Sequence, residues 1–151
     1  MPPSSPPMGN QSERKYPRYS QSGKKSKPYR LDETYVFNTS IKGYTAFVEG
    51  ALLVEDGTLF VYQGYCWDMA SGAIDTPDMA VASLAHDPLC EMANNSKLPC
   101  RARVLADREF RKILKEFGCS WLRRWYSWCA VRANTFYKCA LMTIDGARGG
   151  T

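Results

Sequence analysis

From position 34 the chain alternates short apolar runs with polar punctuation. Tyr35-Val36-Phe37, Tyr44 with Ala46-Phe47-Val48, Leu52-Leu53-Val54 and Leu59-Phe60-Val61-Tyr62 are each strand-sized and rich in aromatic and branched side chains. Asp56-Gly57 separates the last two runs, and an Asp-Gly pair supplies the positive φ that a tight hairpin requires. A small antiparallel sheet is predicted between Thr34 and Tyr65. From Gly64 to Asp75 periodicity ceases, and Gly64, Trp67, Asp68, Ser71, Gly72 and Asp75 predict an ordered loop leading into a helix.

Thr76-Pro77-Asp78 reads as a helix start: a capping hydroxyl, a proline tolerated in the first turn, and an acid at the positive end of the dipole. The helix is expected to reach about Ala93, with Met79, Ala82, Leu89, Cys90 and Ala93 on the face of His86, which therefore looks into the core. Asp87 stands about 100° away, beside Ser83 and Asn94. Pro88 removes a backbone donor and clashes with the Leu84 carbonyl, so a kink or break is expected just after His86 and Asp87. A second helix is predicted from Arg101 to Phe117, carrying Ala106, Phe110, Ile113 and Leu114 inward, with Asp107 at the edge of that stripe and Gly118 as its stop. A third starts at Ser120 and runs to about Tyr137 with Trp121, Leu122, Trp125, Trp128 and Cys129 as its buried face and Arg123 and Arg124 solvated; Cys139 to Ile144 could add a strand. The expected class is α+β: a small antiparallel sheet followed by a three-helix layer, one domain over residues 31–145, with residues 146–151 a flexible end.

Charge changes this picture at one end. Residues 1–30 hold seven basic groups and one acid, a net of +6, whereas the remaining residues carry −1, so the total of +5 belongs to the N-terminal arm. Six of the nine prolines lie there too, and large aliphatic residues are few, which predicts a disordered tail. Such a tail could gather nucleic acid or an anionic membrane by counterion release, or dock a protein partner. No run approaches the roughly 18 apolar residues of a transmembrane segment, and no secretory signal is expected.

One histidine in the whole chain excludes a zinc hydrolase or a histidine-aspartate phosphohydrolase. Phosphate-binding glycine loops, the G-x-S-x-G elbow and the dinucleotide fingerprint are missing from the sequence. The six cysteines contain no C-x-x-C pair and are expected to be reduced thiols or small core residues. Cys90, one turn after His86, permits a Cys-His dyad, but packing on the apolar face suffices to explain it. A titratable group aimed at a core must be paired, neutral or functional, and His86 and Asp107 both meet that description. If their helices are neighbours, the two side chains should lie within hydrogen-bond reach, with Asp107 orienting His86 as a general base. Asp87, with Asp68 and Asp75 from the loop, could then hold a cation of the calcium type.

Trp67-Asp68-Met69-Ala70-Ser71-Gly72, Asp75-Thr76-Pro77, Ser83-Leu84-Ala85-His86-Asp87, Ala106-Asp107-Arg108-Glu109-Phe110 and Ala130-Val131-Arg132, in that order, resemble a small family of uncharacterised phage and prophage proteins. The resemblance implies a phage or prophage setting, in the host cytoplasm or on the virion, and a polar cluster of Asp68, Asp75, Ser83, His86, Asp87 and Asp107, with Ser71 and Trp67 beside it. More loosely, the His86-Asp87 pair with Asp107 from a neighbouring helix is similar to the arrangement in secreted phospholipases A2, although the cysteines those enzymes place around the pair are missing here. Three functions follow as expectations: an accessory protein binding a phage or host partner, with the polar cluster as a fastening or ion site; a hydrolase of lipid or cell-envelope esters or amides, with His86 and Asp107 catalytic and a cation at Asp87; and a nucleic-acid-binding factor acting through the tail.

Overall fold

The structure, a computed structural model, describes residues 16–68, 76–95 and 97–148. Seven short strands precede three helices: β1 (Tyr19–Gln21), β2 (Tyr29–Leu31), β3 (Tyr35–Asn38), β4 (Ala46–Val48), β5 (Ala51–Leu53), β6 (Thr58–Val61), β7 (Cys66–Trp67), α1 (Pro77–Asn94), α2 (Arg101–Glu116) and α3 (Trp121–Arg148). The class is α+β, as the sequence pattern implies.

The strands form two antiparallel sheets rather than one: β3-β6-β5-β4 and β1-β2-β7. In the four-stranded sheet the two-residue alternation sets the inner face. Ala46, Val48, Ala51, Leu53, Leu59 and Val61 are buried, while Phe47 between them is 60% exposed. Gly57 closes the β5–β6 hairpin at φ +94, where Asp56 Oδ1 accepts the Thr58 amide at 2.9 Å and a Cβ would run into the Thr39 carbonyl.

The three-stranded sheet corrects two expectations. Residues 19–21 and 29–31 pair as a hairpin within the stretch expected to be tail, and Cys66-Trp67 pairs with Tyr29 and Arg30 where a loop is expected. The cause is aromatic. Tyr19 and Tyr29 pack their rings 5.6 and 5.8 Å from that of the fully buried Trp67, which gives a proline-rich, basic segment something to bury. Residues 1–15, the rest of that tail, lie outside the described residues.

α1 is the central element, packed on both sheets and on α2 and buried over most of its surface. Pro88 does not end it: the helix runs continuously to Asn94, with the proline itself buried among its neighbours. Thr76 occupies the N-cap in an extended conformation without capping an amide through its side chain; its hydroxyl accepts from Arg123 instead. α2 turns three charged side chains inward, Arg103, Asp107 and Glu109. Glu109 accepts the Ser40 amide at 2.8 Å and the Ser40 hydroxyl, tying α2 to the β3–β4 connection.

α3 departs most from the expectation. It continues as helix to Arg148, through the region read as a strand and into the expected flexible end. Its inward ladder is not the tryptophan face but Arg123, Ser127, Val131, Thr135 and Cys139, at intervals of four. Arg123 fixes the rotation by pairing with the buried Asp78 at 2.8 Å, and Trp121 and Trp125 consequently stand 70% and 52% exposed. Burial opposes the Asp78 charge, but hydrogen bonds to Thr76 and Cys119 and the Arg123 guanidinium hold its carboxyl below the ordinary range. At the far end of the ladder Cys139 is disulfide-bonded to Cys100 at the start of α2, correcting the expectation of reduced thiols for this pair; Cys66, Cys90, Cys119 and Cys129 are free. No helix among the described residues is long and apolar enough to cross a membrane.

Candidate active site in the cleft between α1 and α3

α2 packs along α1, and this brings positions 86 and 107 face to face. His86 Nε2 lies 2.6 Å from Asp107 Oδ1. A carboxylate only accepts, so Nε2 carries the proton and Nδ1 is the nitrogen left for other chemistry. Phe110, one turn beyond Asp107, sets its ring edge-on at 5.4 Å and fixes the plane of the imidazole. Asp107 is fully buried; its second oxygen has no hydrogen-bond partner among the described residues and faces Arg132 Nη1 of α3 at 3.8 Å.

Although Asp107 is sealed, His86 is not. Its side chain is 11% exposed and opens onto a cleft of about 390 Å³. Along α1 the cleft wall is His86, Asp87, Cys90, Glu91 and Asn94; α3 supplies Ala130, Val131, Asn134 and Lys138. Lys27, Asp68 and Arg103 close it. The wall carries both charges: Asp68, Asp87 and Glu91 with Lys27, and Arg103 and Lys138 with the amides of Asn94 and Asn134. Arg103 is held by donating to Asn94 Oδ1.

Burial disfavours the His86 cation, but the neighbouring Cys90 and the Asp107 carboxylate outweigh it, and the imidazole is pushed up to about 10. Cys90 Sγ stands 3.6 Å from Nδ1 and 3.5 Å from Nε2. Asp87 moves the other way from a surface acid: burial raises its carboxyl, opposed by the Asp68 backbone amide that it accepts and by the His86 charge. Tyr65, raised by burial and by the charges of Asp87 and Glu91, donates to Glu91 Oε2 at 3.3 Å.

The other expected site residues divide. Asp68 and Asp87 reach the cleft, so Asp87 is half-buried at the site and not on the outer side of α1. Ser83 is buried. Trp67 belongs to the aromatic cluster of the small sheet. Ser71 and Asp75 lie outside the described residues, and among those described no three His, Cys, Asp or Glu side chains converge as a metal site. Arg103 and Arg132 were not singled out from the sequence as site residues. Arg103 is one helical turn before Asp107, and that spacing is the signal that could have found it.

A family model matches residues 51–131, the stretch from β5 through α2 into α3 that holds His86, Asp87, Cys90, Arg103 and Asp107. The chain belongs to the DUF1353 family. That family is described as proteins of unknown function, so membership supports the site's placement within a recurring unit and names no reaction. Within the DUF1353 match the α1 and α2 walls of the cleft are complete, whereas Lys27, Asn134 and Lys138 come from outside it. No curated protein and no solved structure matches the chain.

Proposed function

We propose that the cleft is the active site of a small hydrolase acting on an ester or amide, with His86 as the proton-transfer group and Asp107 as the carboxylate that orients it. The observation that carries this reading is the 2.6 Å Nε2–Oδ1 contact between a sealed carboxylate and an imidazole that opens onto a cleft. A histidine serving only to fasten two helices gains nothing from lining an open cleft. With its pKa raised, His86 is cationic at neutral pH and is suited to hand a proton to a leaving oxygen or nitrogen. The amides and cations at the Arg103 end suit a substrate with carbonyl or carboxylate groups, such as a peptide or an envelope fragment. No cation enters this reading, since Asp87 is already engaged by the Asp68 amide. The test is a panel of activated esters and peptidyl amides assayed from pH 5 to 10. Turnover that falls as His86 loses its proton, and that His86→Gln lowers about 100-fold or more, is expected; rates equal to buffer across the panel would overturn the reading.

A second reading, an accessory protein docking a phage or host partner, draws support from one further observation. Trp121, Trp125, Phe136 and Tyr137 all stand more than half exposed on α3. The phage setting itself rests on the sequence resemblance. Nucleic-acid binding keeps only the charge of the arm as support, part of which is now placed in the β1–β2 hairpin, where Lys27 lies 3.9 Å from Glu91.

A further inference from the structure

The hydrolase reading leaves the nucleophile open, and the free thiol beside His86 is the group placed to fill that role. Resting on that reading, we infer that Cys90 is the nucleophile of a covalent mechanism, in which the substrate acyl group is carried on its sulfur. Three separate observations converge on it. Cys90 lines the cleft, unlike the disulfide-bonded Cys100 and Cys139. It sits one turn after His86 on α1, with Sγ 3.6 Å from Nδ1, the ring nitrogen that Asp107 does not contact. And the third member of the set, Asp107, is buried behind the imidazole and held at its other oxygen by Arg132, the position of the group that orients the base in a nucleophile-base-carboxylate series.

The chemistry closes without a further reagent. With the Cys90 proton carried on His86 Nδ1, which makes the imidazole the cation, the sulfur attacks the substrate carbonyl carbon, forming an S–C bond. The C–O or C–N bond to the leaving group breaks, and that group departs with the proton from His86. Water, deprotonated by the now neutral His86, then attacks the thioester; the S–C bond breaks, the acid is released, and the proton taken from water stays in the Cys90–His86 pair. Sγ is almost equidistant from the two ring nitrogens, so it lies off the Nδ1 lone-pair axis, and a rotamer-scale swing completes the alignment as substrate enters.

The intact, oxidised chain is pulsed with iodoacetamide from pH 5 to 9, and alkylation at Cys66, Cys90, Cys119 and Cys129 is read by peptide mapping. In parallel, p-nitrophenyl acetate is supplied and the protein is searched for an acetyl adduct. Cys90 should react at pH 6 at least about tenfold faster than the more exposed Cys66 and Cys129, lose that advantage in His86→Gln, and carry the acetyl group, while Cys90→Ala abolishes turnover. Turnover that survives in Cys90→Ala with no adduct on the wild type would overturn the nucleophile and leave a hydrolase that activates water directly. An inactive wild type whose Cys90 reacts no faster than Cys129 would overturn both. If Cys90→Ala fails to fold, the alkylation profile and adduct on the wild type decide alone.

Discussion

Arg132 of α3 places its guanidinium 3.8 Å from Asp107 Oδ2, the carboxylate oxygen that His86 does not contact. Three elements thus meet at one buried acid: α1 through His86, α2 through Asp107 and α3 through Arg132. Removing one charge from a buried set leaves the others uncompensated, which costs more than the net value of the set. Asp107→Ala should therefore destabilise the fold by on the order of 3–5 kcal/mol, and Arg132→Ala, whose side chain is partly exposed, by less. Urea unfolding of both variants checks the order; equal small losses would show that the three charges do not act together.

The pH dependence of stability has a definite sign. The folded pKa of His86 lies above the unfolded value of 6.5, so protonated His86 stabilises the fold in full below about 6.5, and that contribution is lost as the pH climbs toward about 10. The difference in melting temperature between wild type and His86→Gln should shrink across that window. Because His86 is the only histidine, its ring signals in a proton spectrum report the same titration without assignment, and Asp107→Asn should move the midpoint down.

The Arg123–Asp78 pair sets the rotation of α3. Asp78→Asn should cost on the order of 1–3 kcal/mol by loss of a charge-assisted bond. The Asp78 carboxyl is lowered in the fold, so the pair's contribution is present above the ordinary carboxylate pKa of 3.8 and is lost as the pH falls below it. Trp125→Ser, by contrast, should change stability by under about 0.5 kcal/mol, because the ring stands in solvent.

The Cys100–Cys139 bond closes a span of 39 residues and ties the start of α2 to the outer half of α3. Reduction should lower stability by on the order of 2–4 kcal/mol, read as a shift in the denaturant midpoint with and without dithiothreitol. An unchanged midpoint would show that α3 is held by its inward ladder alone.

Much of this was legible in the sequence where one signal dominated. The two-residue alternation and Asp56-Gly57 predict the four-stranded sheet, and helical phase alone points His86 and Asp107 at the same core, where the structure places them in contact. Where two signals competed, the pattern misled. In α3 both faces carry apolar residues, and only the tertiary pairing of Arg123 with a buried acid decides that Trp121 and Trp125 face outward. Pro88 breaks isolated helices, but packing on both sides of α1 carries the helix past it. The β1–β2 hairpin was hidden because proline and lysine content argues for disorder, whereas two tyrosines docking on a tryptophan 38 residues beyond Tyr29 are a long-range event that local composition does not encode. The disulfide is long-range in the same way.

A double-mutant cycle on ester hydrolysis, with His86→Gln, Asp107→Asn and both changes together, separates catalysis from architecture at this pair. Residues that act as one proton-transfer unit lose activity non-additively, so the double variant should be no slower than His86→Gln alone, with Asp107→Asn intermediate. Losses that multiply across the two sites, or variants as active as wild type while still folded, would contradict a catalytic pair and leave His86 and Asp107 as a fastening between helices.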